Sequence, residues 1–327
     1  IGVDIFFIIS GYVIANLILI EIQEQNRFDF IKFFEKRLRR LVPALYFLLL
    51  VVFISGFFLL LPDRFTQLSK DIFFNVFLTS NFYFWDSLQA YGAILGIERP
   101  LLHTWSLSVE WQFYIFTSFL FIFFRKYILN KFNLYFFELF IISFVINFFI
   151  LANQVNFNFY FSGSRYWEFL LGVLIRYNQD FLRLKIKEIL SDRMINFLLF
   201  LSLIYIIFFS TSYQFSNTKN LIFIIAMFLS AFVILMGNSN TIFYQFFKSK
   251  TLVFIGAISY SLYIWHFPFA SFFFATSNQE FFTNYMKIII LIIIFLISTF
   301  SYYFVENYFR KFANIKTKNF YVLFIFN

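Results

Sequence analysis

Long apolar runs separated by short polar segments recur along the whole chain. Stretches near residues 3–20, 41–61, 110–124, 135–152, 165–177, 195–211, 220–236, 252–275 and 286–304 approach bilayer-spanning length, which for a helix is about 20 residues. A tenth run begins at Asn319 and stops at Asn327, too short to cross. No ten-residue alternation suggests a barrel, and only helices satisfy their own backbone hydrogen bonds inside such segments. The pattern predicts an all-α, polytopic transmembrane helical bundle with about nine complete spans and a partial tenth. With no internal repeat and no Gly/Ser/Pro-rich linker, one membrane domain is expected over residues 1–318, followed at 319–327 by the start of a further outward-running helix.

Composition supports the class: 61% of residues are hydrophobic, 26% aromatic and 13% charged. The 61 phenylalanines are read as lipid-facing filler, since such positions accept any large apolar side chain. With no cysteine, disulfides, thiolate metal sites and cysteine nucleophiles are excluded, and no metal is expected.

Basic residues set the orientation. Segments 21–40, 125–134, 176–194, 237–251 and 306–319 carry 20 of the 26 Lys and Arg, leaving Arg64, Lys70, Arg99, Arg165, Lys219 and Lys287 elsewhere. Those five segments are expected on the cytoplasmic side. The net charge of +9 then reads as topology and contact with anionic lipid, and no nucleic-acid motif is present. On this topology the chain enters from outside at Ile1 and leaves outward at Asn327, so both ends are expected to continue. The exterior segment from Pro62 to about Leu102, rich in aromatics, is expected to pack as a cap.

Polar side chains inside apolar runs are costly and therefore informative. In FEKRLRRLVPALY, Arg37 and Arg40 are three apart on one helical face, with Arg39 beside them. Guanidinium forks suit a phosphorylated cofactor, although an ordinary positive-inside anchor is the commoner origin of such clusters. In LLHTWSLSVEWQFY, a helix starting near His103 puts His103, Ser106, Glu110 and Tyr114 in one stripe. That set can take a proton from an alcohol and stabilise the resulting charge. It also fits a structural cap, with Ser106 or Thr104 at the helix start and Glu110 paired with Arg165 or Arg99.

Ser259, Tyr263 and His266 align in ISYSLYIWHFPF, where Pro268 frees a nearby carbonyl for another polar group. A lone helical histidine such as His266 is more often a satisfied structural residue. Arg165 and Glu168 pair along SRYWEFLLG, with Gly172 on the same face, and Asp4 lies at the outer end of GVDIFFIISGYVI. Small residues in that first run point to helix packing.

Taken together, GVDIFFIISGYVI, KRLRRLVPALY, SNFYFW, LLHTWSLSVEWQFY, SRYWEFLLG, IGAISYSLYIWHFPF and SYYFVENYFRK resemble the integral-membrane acyltransferase family 3, in its order and over nearly the whole chain. The HTWSLSVE and ISYSLYIWH runs look like the branch whose membrane domain is followed by an extracytoplasmic SGNH-type domain. The resemblance implies an O-acyltransferase of the bacterial plasma (inner) membrane. It would pass an acyl group, commonly acetyl from cytoplasmic acetyl-CoA, to a hydroxyl of an envelope glycan such as lipopolysaccharide O-antigen, exopolysaccharide or peptidoglycan.

By the same resemblance Arg37 and Arg40 match the paired arginines that engage acyl-CoA, and Ser106 and Glu110 match the Ser-x-x-x-Glu element. His103 and His266 join them as catalytic candidates, because the family's first span, with the histidine generally thought catalytic, would precede Ile1. Trp111 stands where relatives often carry a second acidic residue. Two other readings stay open: a glycan or lipid transporter or flippase, whose buried polar stripes and broken helices look alike, and an inactive fragment of the enzyme.

Overall fold

In the computed structural model, which describes residues 1–25, 29–89, 95–211, 219–237, 241–276 and 284–311, all regular structure is helical. The chain opens with α1 (Gly2–Gln25), α2 (Phe30–Leu59), α3 (Pro62–Val76) and α4 (Ser80–Ser87), then two 3₁₀ turns, Gly96–Glu98 and Leu102–Thr104. It continues through α5 (Trp105–Asn130), α6 (Phe132–Val145), the π-helical turn Ile146–Ile150, α7 (Val155–Tyr160) and α8 (Ser162–Tyr177). Next come α9 (Gln179–Ile189), α10 (Asp192–Thr211), α11 (Lys219–Met236) and α12 (Ile242–Phe247). The last elements are α13 (Lys250–Thr276), α14 (Asn284–Phe300), the π-helical turn Ser301–Glu306 and α15 (Asn307–Lys311).

Five helical segments among the described residues are long and apolar enough to cross a membrane: Gly2–Ile22, Phe30–Leu59, Phe132–Ile150, Lys250–Ala275 and Tyr285–Arg310. A sixth arises if α9 and α10, bent by 112°, form one broken span. The all-helical class agrees with the hydropathy pattern, whereas a count of nine complete spans is not reached. The run at 165–177 lies in α8, only 16 residues long and interrupted by Arg165 and Glu168. Leu221–Met236 is apolar but short. The partial helix expected at 319–327 lies outside the described residues.

The chain divides into two compact units, one of residues Ile1–Phe28 and Val109–Val253, the other of Asp29–Ser108 and the chain from Phe254 onward. The first unit is built on the crossing of α1 and α8. Between apolar helices in lipid, close backbone approach and van der Waals contact replace the hydrophobic effect as the glue. A Cβ on Gly11 would strike the Phe169 carbonyl, and one on Gly172 would strike that of Ile8 and lie 2.7 Å from the Tyr12 nitrogen. Phe169 stacks between Phe7 and Phe113, each 4.3 Å away by ring centroid. On the other side of α8, Ser143 of α6 donates to the Gly163 carbonyl at 2.7 Å and accepts from the Trp167 backbone at 2.8 Å. These bonds seat Trp167 among Phe140, Phe144 and Phe148.

In the second unit, Asp29 caps α2 by accepting from the Lys32 backbone at 3.1 Å. The segment after α2, expected as an exterior cap, holds α3, α4 and the two 3₁₀ turns. Its centre is an ion pair 2.5 Å long between Arg99 and Asp71, both almost fully buried. Arg99 also donates to Ser87 at 2.6 Å and lies over the Phe84 ring, 4.8 Å from its centroid. Burial pushes the Asp71 carboxyl above the usual carboxylate range, against the opposing pull of Arg99. Ser80 ties the cap to the start of α5, its backbone N–H 3.2 Å and its hydroxyl 2.8 Å from Ser108 Oγ.

Candidate active site

Pro268 sets the local geometry of the second unit's polar cluster. Inside α13 its ring nitrogen has no hydrogen to offer the carbonyl four residues earlier, that of Ile264. His103, in the 3₁₀ turn ahead of α5, takes up that carbonyl with Nε2 at 3.1 Å. A carbonyl only accepts, so Nε2 carries the proton and the neutral ring keeps its lone pair on Nδ1. Nδ1 is buried and has no hydrogen-bond partner among the described residues. Burial, reinforced by the charge of His266, pushes the His103 pKa well below the usual histidine value, with a smaller opposing pull from the Ile264 carbonyl. The ring is therefore neutral at pH 7, as a general base must be.

A hydroxyl pair completes this cluster. Tyr263 donates its phenolic proton to the His103 carbonyl at 2.6 Å, and Ser106 Oγ lies 2.5 Å from the same phenol oxygen. Ser106 Oγ also donates to the same His103 carbonyl at 3.3 Å, so both hydroxyls gather on one backbone oxygen. His266 is exposed and anchored through Nδ1 to the Tyr263 carbonyl at 2.5 Å. Its ring stands edge-on to that of His103, 5.3 Å between centroids. Ser259, aligned with Tyr263 and His266 by spacing, is exposed and bonds back to the Gly256 carbonyl of its own helix.

Glu110 and Tyr114, the rest of the expected stripe, belong to the first unit. Glu110 is 2% exposed and accepts from Ser10 at 3.1 Å and from the Tyr114 hydroxyl. Trp111 is buried edge-on against Tyr114. The two arginines considered as partners for Glu110 hold other carboxylates: Arg99 pairs with Asp71, and Arg165 with Asp4 and Glu168. The Asp4 contact brings α1 and α8 together across 161 residues of sequence. The spacing along α8 gives only the Arg165–Glu168 half, 3.3 Å apart.

The arginines at the start of α2 behave differently from one another. Arg39 is bound by Glu35, four residues earlier, at 2.8 and 2.5 Å. Arg37 is buried with its guanidinium 5.7 Å from the Phe33 centroid, and Arg40 is exposed. Among the described residues no group of three or more His, Cys, Asp or Glu side chains is placed to hold a metal ion.

Residues 1–321 match the acyltransferase domain of acyltransferase family 3. The chain belongs to this family. It is 29% identical over 321 residues to the O-acetyltransferase OatA of Staphylococcus aureus strain NCTC 8325 / PS 47, covering 95% of this chain and 52% of that protein. The protein of the same name from strain MRSA252 matches to the same extent. A further S. aureus relative, the putative O-acetyltransferase SACOL0978 of strain COL, is 31% identical over 329 residues, 97% of this chain and 54% of that protein. The chain thus spans about half the length of the curated relatives it matches. No solved structure matches it.

Proposed function

We propose that this chain is the membrane domain of an O-acyltransferase that moves an acetyl group from cytoplasmic acetyl-CoA to a hydroxyl of an extracytoplasmic envelope glycan. The observation that carries the reading is the buried His103 imidazole, whose tautomer the Ile264 carbonyl fixes and whose Nδ1 is buried without a hydrogen-bond partner among the described residues. Membership of an acyltransferase family supports the reaction class. The name of the S. aureus relatives, O-acetyltransferase, supports acetyl as the group moved.

Acyl transfer needs an oxygen nucleophile relieved of its proton while it attacks a carbonyl carbon. In the proposed step a hydroxyl oxygen attacks the thioester carbonyl, His103 Nδ1 accepts the hydroxyl proton, and the carbon–sulfur bond breaks. The thiolate then leaves as the thiol, taking one proton. If the acyl group pauses on the protein, Ser106 and Tyr263 are the hydroxyls beside the base. The glycan oxygen then displaces that side-chain oxygen from the acyl carbon, and the glycan hydroxyl's proton returns to it. His266 is the proposed relay that carries the proton from His103 towards the leaving thiolate, since it is exposed and its ring stands against that of His103.

Arg37 and Arg40 are the proposed donor grip, one buried and one exposed at the start of α2. Glu110 acts in the other unit as the acceptor of the Ser10 and Tyr114 protons. The bilayer is the partner of the exposed apolar helix faces, and an extracytoplasmic SGNH-type domain is the proposed neighbour in the longer protein. Inside-out plasma-membrane vesicles containing the full-length protein and acetyl-CoA labelled on the acetyl group test the reading. Label is expected on glycan inside the vesicle. Glycan that crosses the membrane unlabelled indicates a transporter and overturns the proposal, as does no labelled product.

A further inference from the structure

Glu306 closes the π-helical turn at the end of α14 with its carboxyl only 1% exposed. A π-turn inserts extra chain into a helix and re-aims its side chains, and such turns recur at functional positions. Here Glu306 Oε2 accepts from Ser261 at 3.4 Å, and Oε1 lies 3.5 Å from Arg310 Nη1. The charge of Arg40 also acts on this carboxyl. The surroundings are tied down on both sides: Tyr260 donates to the Leu41 carbonyl at 2.7 Å, next to Arg40, and Ser298 donates to the Ser261 carbonyl at 3.3 Å. One buried carboxylate therefore lies 3.5 Å from the Arg310 guanidinium, which is 45% exposed, and within the electrostatic reach of a second, exposed arginine, Arg40.

A purely structural ion pair balances charge one to one. Here one carboxylate answers to two guanidinium groups, Arg310 in contact and Arg40 on α2, which packs against this turn, and that leaves positive charge in excess. Guanidinium forks bind phosphate oxygens bidentately, and fixing them beforehand removes part of the entropy lost on binding. We infer that Glu306 is a positioning residue that holds Arg40 and Arg310 as a clamp for the polyphosphate portion of the acyl donor, with Arg310 a donor-binding residue in its own right. The inference rests on the coenzyme A reading proposed above.

The test compares two donors in vesicles carrying the full-length protein: acetyl-CoA, and S-acetylpantetheine, which lacks the nucleotide and all phosphates. Arg310→Ala is expected to raise the KM for acetyl-CoA about tenfold with a much smaller change in kcat. Glu306→Gln, which keeps the side-chain shape, should shift KM in the same direction. On S-acetylpantetheine the loss in kcat/KM for Arg310→Ala should be several times smaller than on acetyl-CoA. Arg310→Gln, with a polar side chain at this half-exposed position, should repeat the pattern. An unchanged KM for acetyl-CoA, or an equal loss on both donors, overturns the clamp. If the unmodified protein transfers no acetyl group from acetyl-CoA, the donor reading itself fails, and the two failures are told apart by that control.

Discussion

The imidazole of His103 occupies the one carbonyl that Pro268 removes from the α13 hydrogen-bond ladder, that of Ile264, at 3.1 Å from Nε2. A helix defect in one segment thereby fixes the tautomer of a histidine 161 residues away in sequence. Replacing Pro268 by alanine supplies an amide N–H that competes for the same carbonyl. The helix should gain stability, by up to about 3 kcal/mol from the proline penalty, while His103 loses its anchor. A raised melting temperature in detergent together with a severalfold fall in acetyl transfer is the expected pair of results. Full activity in Pro268→Ala would show that the anchor does not matter.

The low His103 pKa links protonation to stability. The folded-state value lies below the unfolded value of about 6.5, so the native state resists taking up the proton. Neutral His103 contributes stability that is complete above pH 6.5 and is lost as pH falls from there through the folded pKa. Thermal melts between pH 7.5 and 5 should show a steeper acid loss in the unmodified protein than in His103→Gln. Identical slopes would place the titrating group elsewhere.

Close backbone approach between α1 and α8 makes two glycines irreplaceable. Gly11→Ala and Gly172→Ala each drive a methyl group into a carbonyl on the facing helix, and overpacking of this kind costs about 1–3 kcal/mol or more. At Gly256 an added methyl group would meet nothing within 4 Å, so Gly256→Ala should be neutral or stabilising by up to ~1 kcal/mol. Melting temperatures in detergent check the contrast. Equal effects at Gly11 and Gly256 would contradict the crossing.

Asp71 and Arg99 are 1% and 3% exposed, and removing one partner strands the other charge without its mate. Asp71→Ala is expected to cost about 3–5 kcal/mol, and a double replacement, Asp71→Leu with Arg99→Met, distinctly less. Limited proteolysis of the cap segment and thermal melting report both. A double variant worse than the single one would mean that the pair stabilises beyond mutual neutralisation.

The helices and the freed carbonyl near Pro268 were legible in the sequence, because hydropathy and proline chemistry act locally. Pairings along one helix, such as Arg165 with Glu168, were legible for the same reason. What spacing could not give is which helices meet. Ser106 finds Tyr263 and Glu110 finds Ser10 across 157 and 100 residues, and the stripe from His103 to Tyr114 divides between two units. Arg39 and Glu35 are four apart, so their pair was available to pattern reading, but the surrounding arginine cluster masked it. The number of spans was obscured by buried charges in α8 and by the 112° bend between α9 and α10.

The most direct test is the rate of labelled acetyl transfer from acetyl-CoA to glycan by full-length His103→Gln in inside-out vesicles, beside the unmodified protein at equal folded amount. Loss of a general base lowers the rate by about 10²–10⁴-fold, and a fall of at least that lower size is expected. Transfer at the unmodified rate would remove His103 from the chemistry and with it the proposed active site.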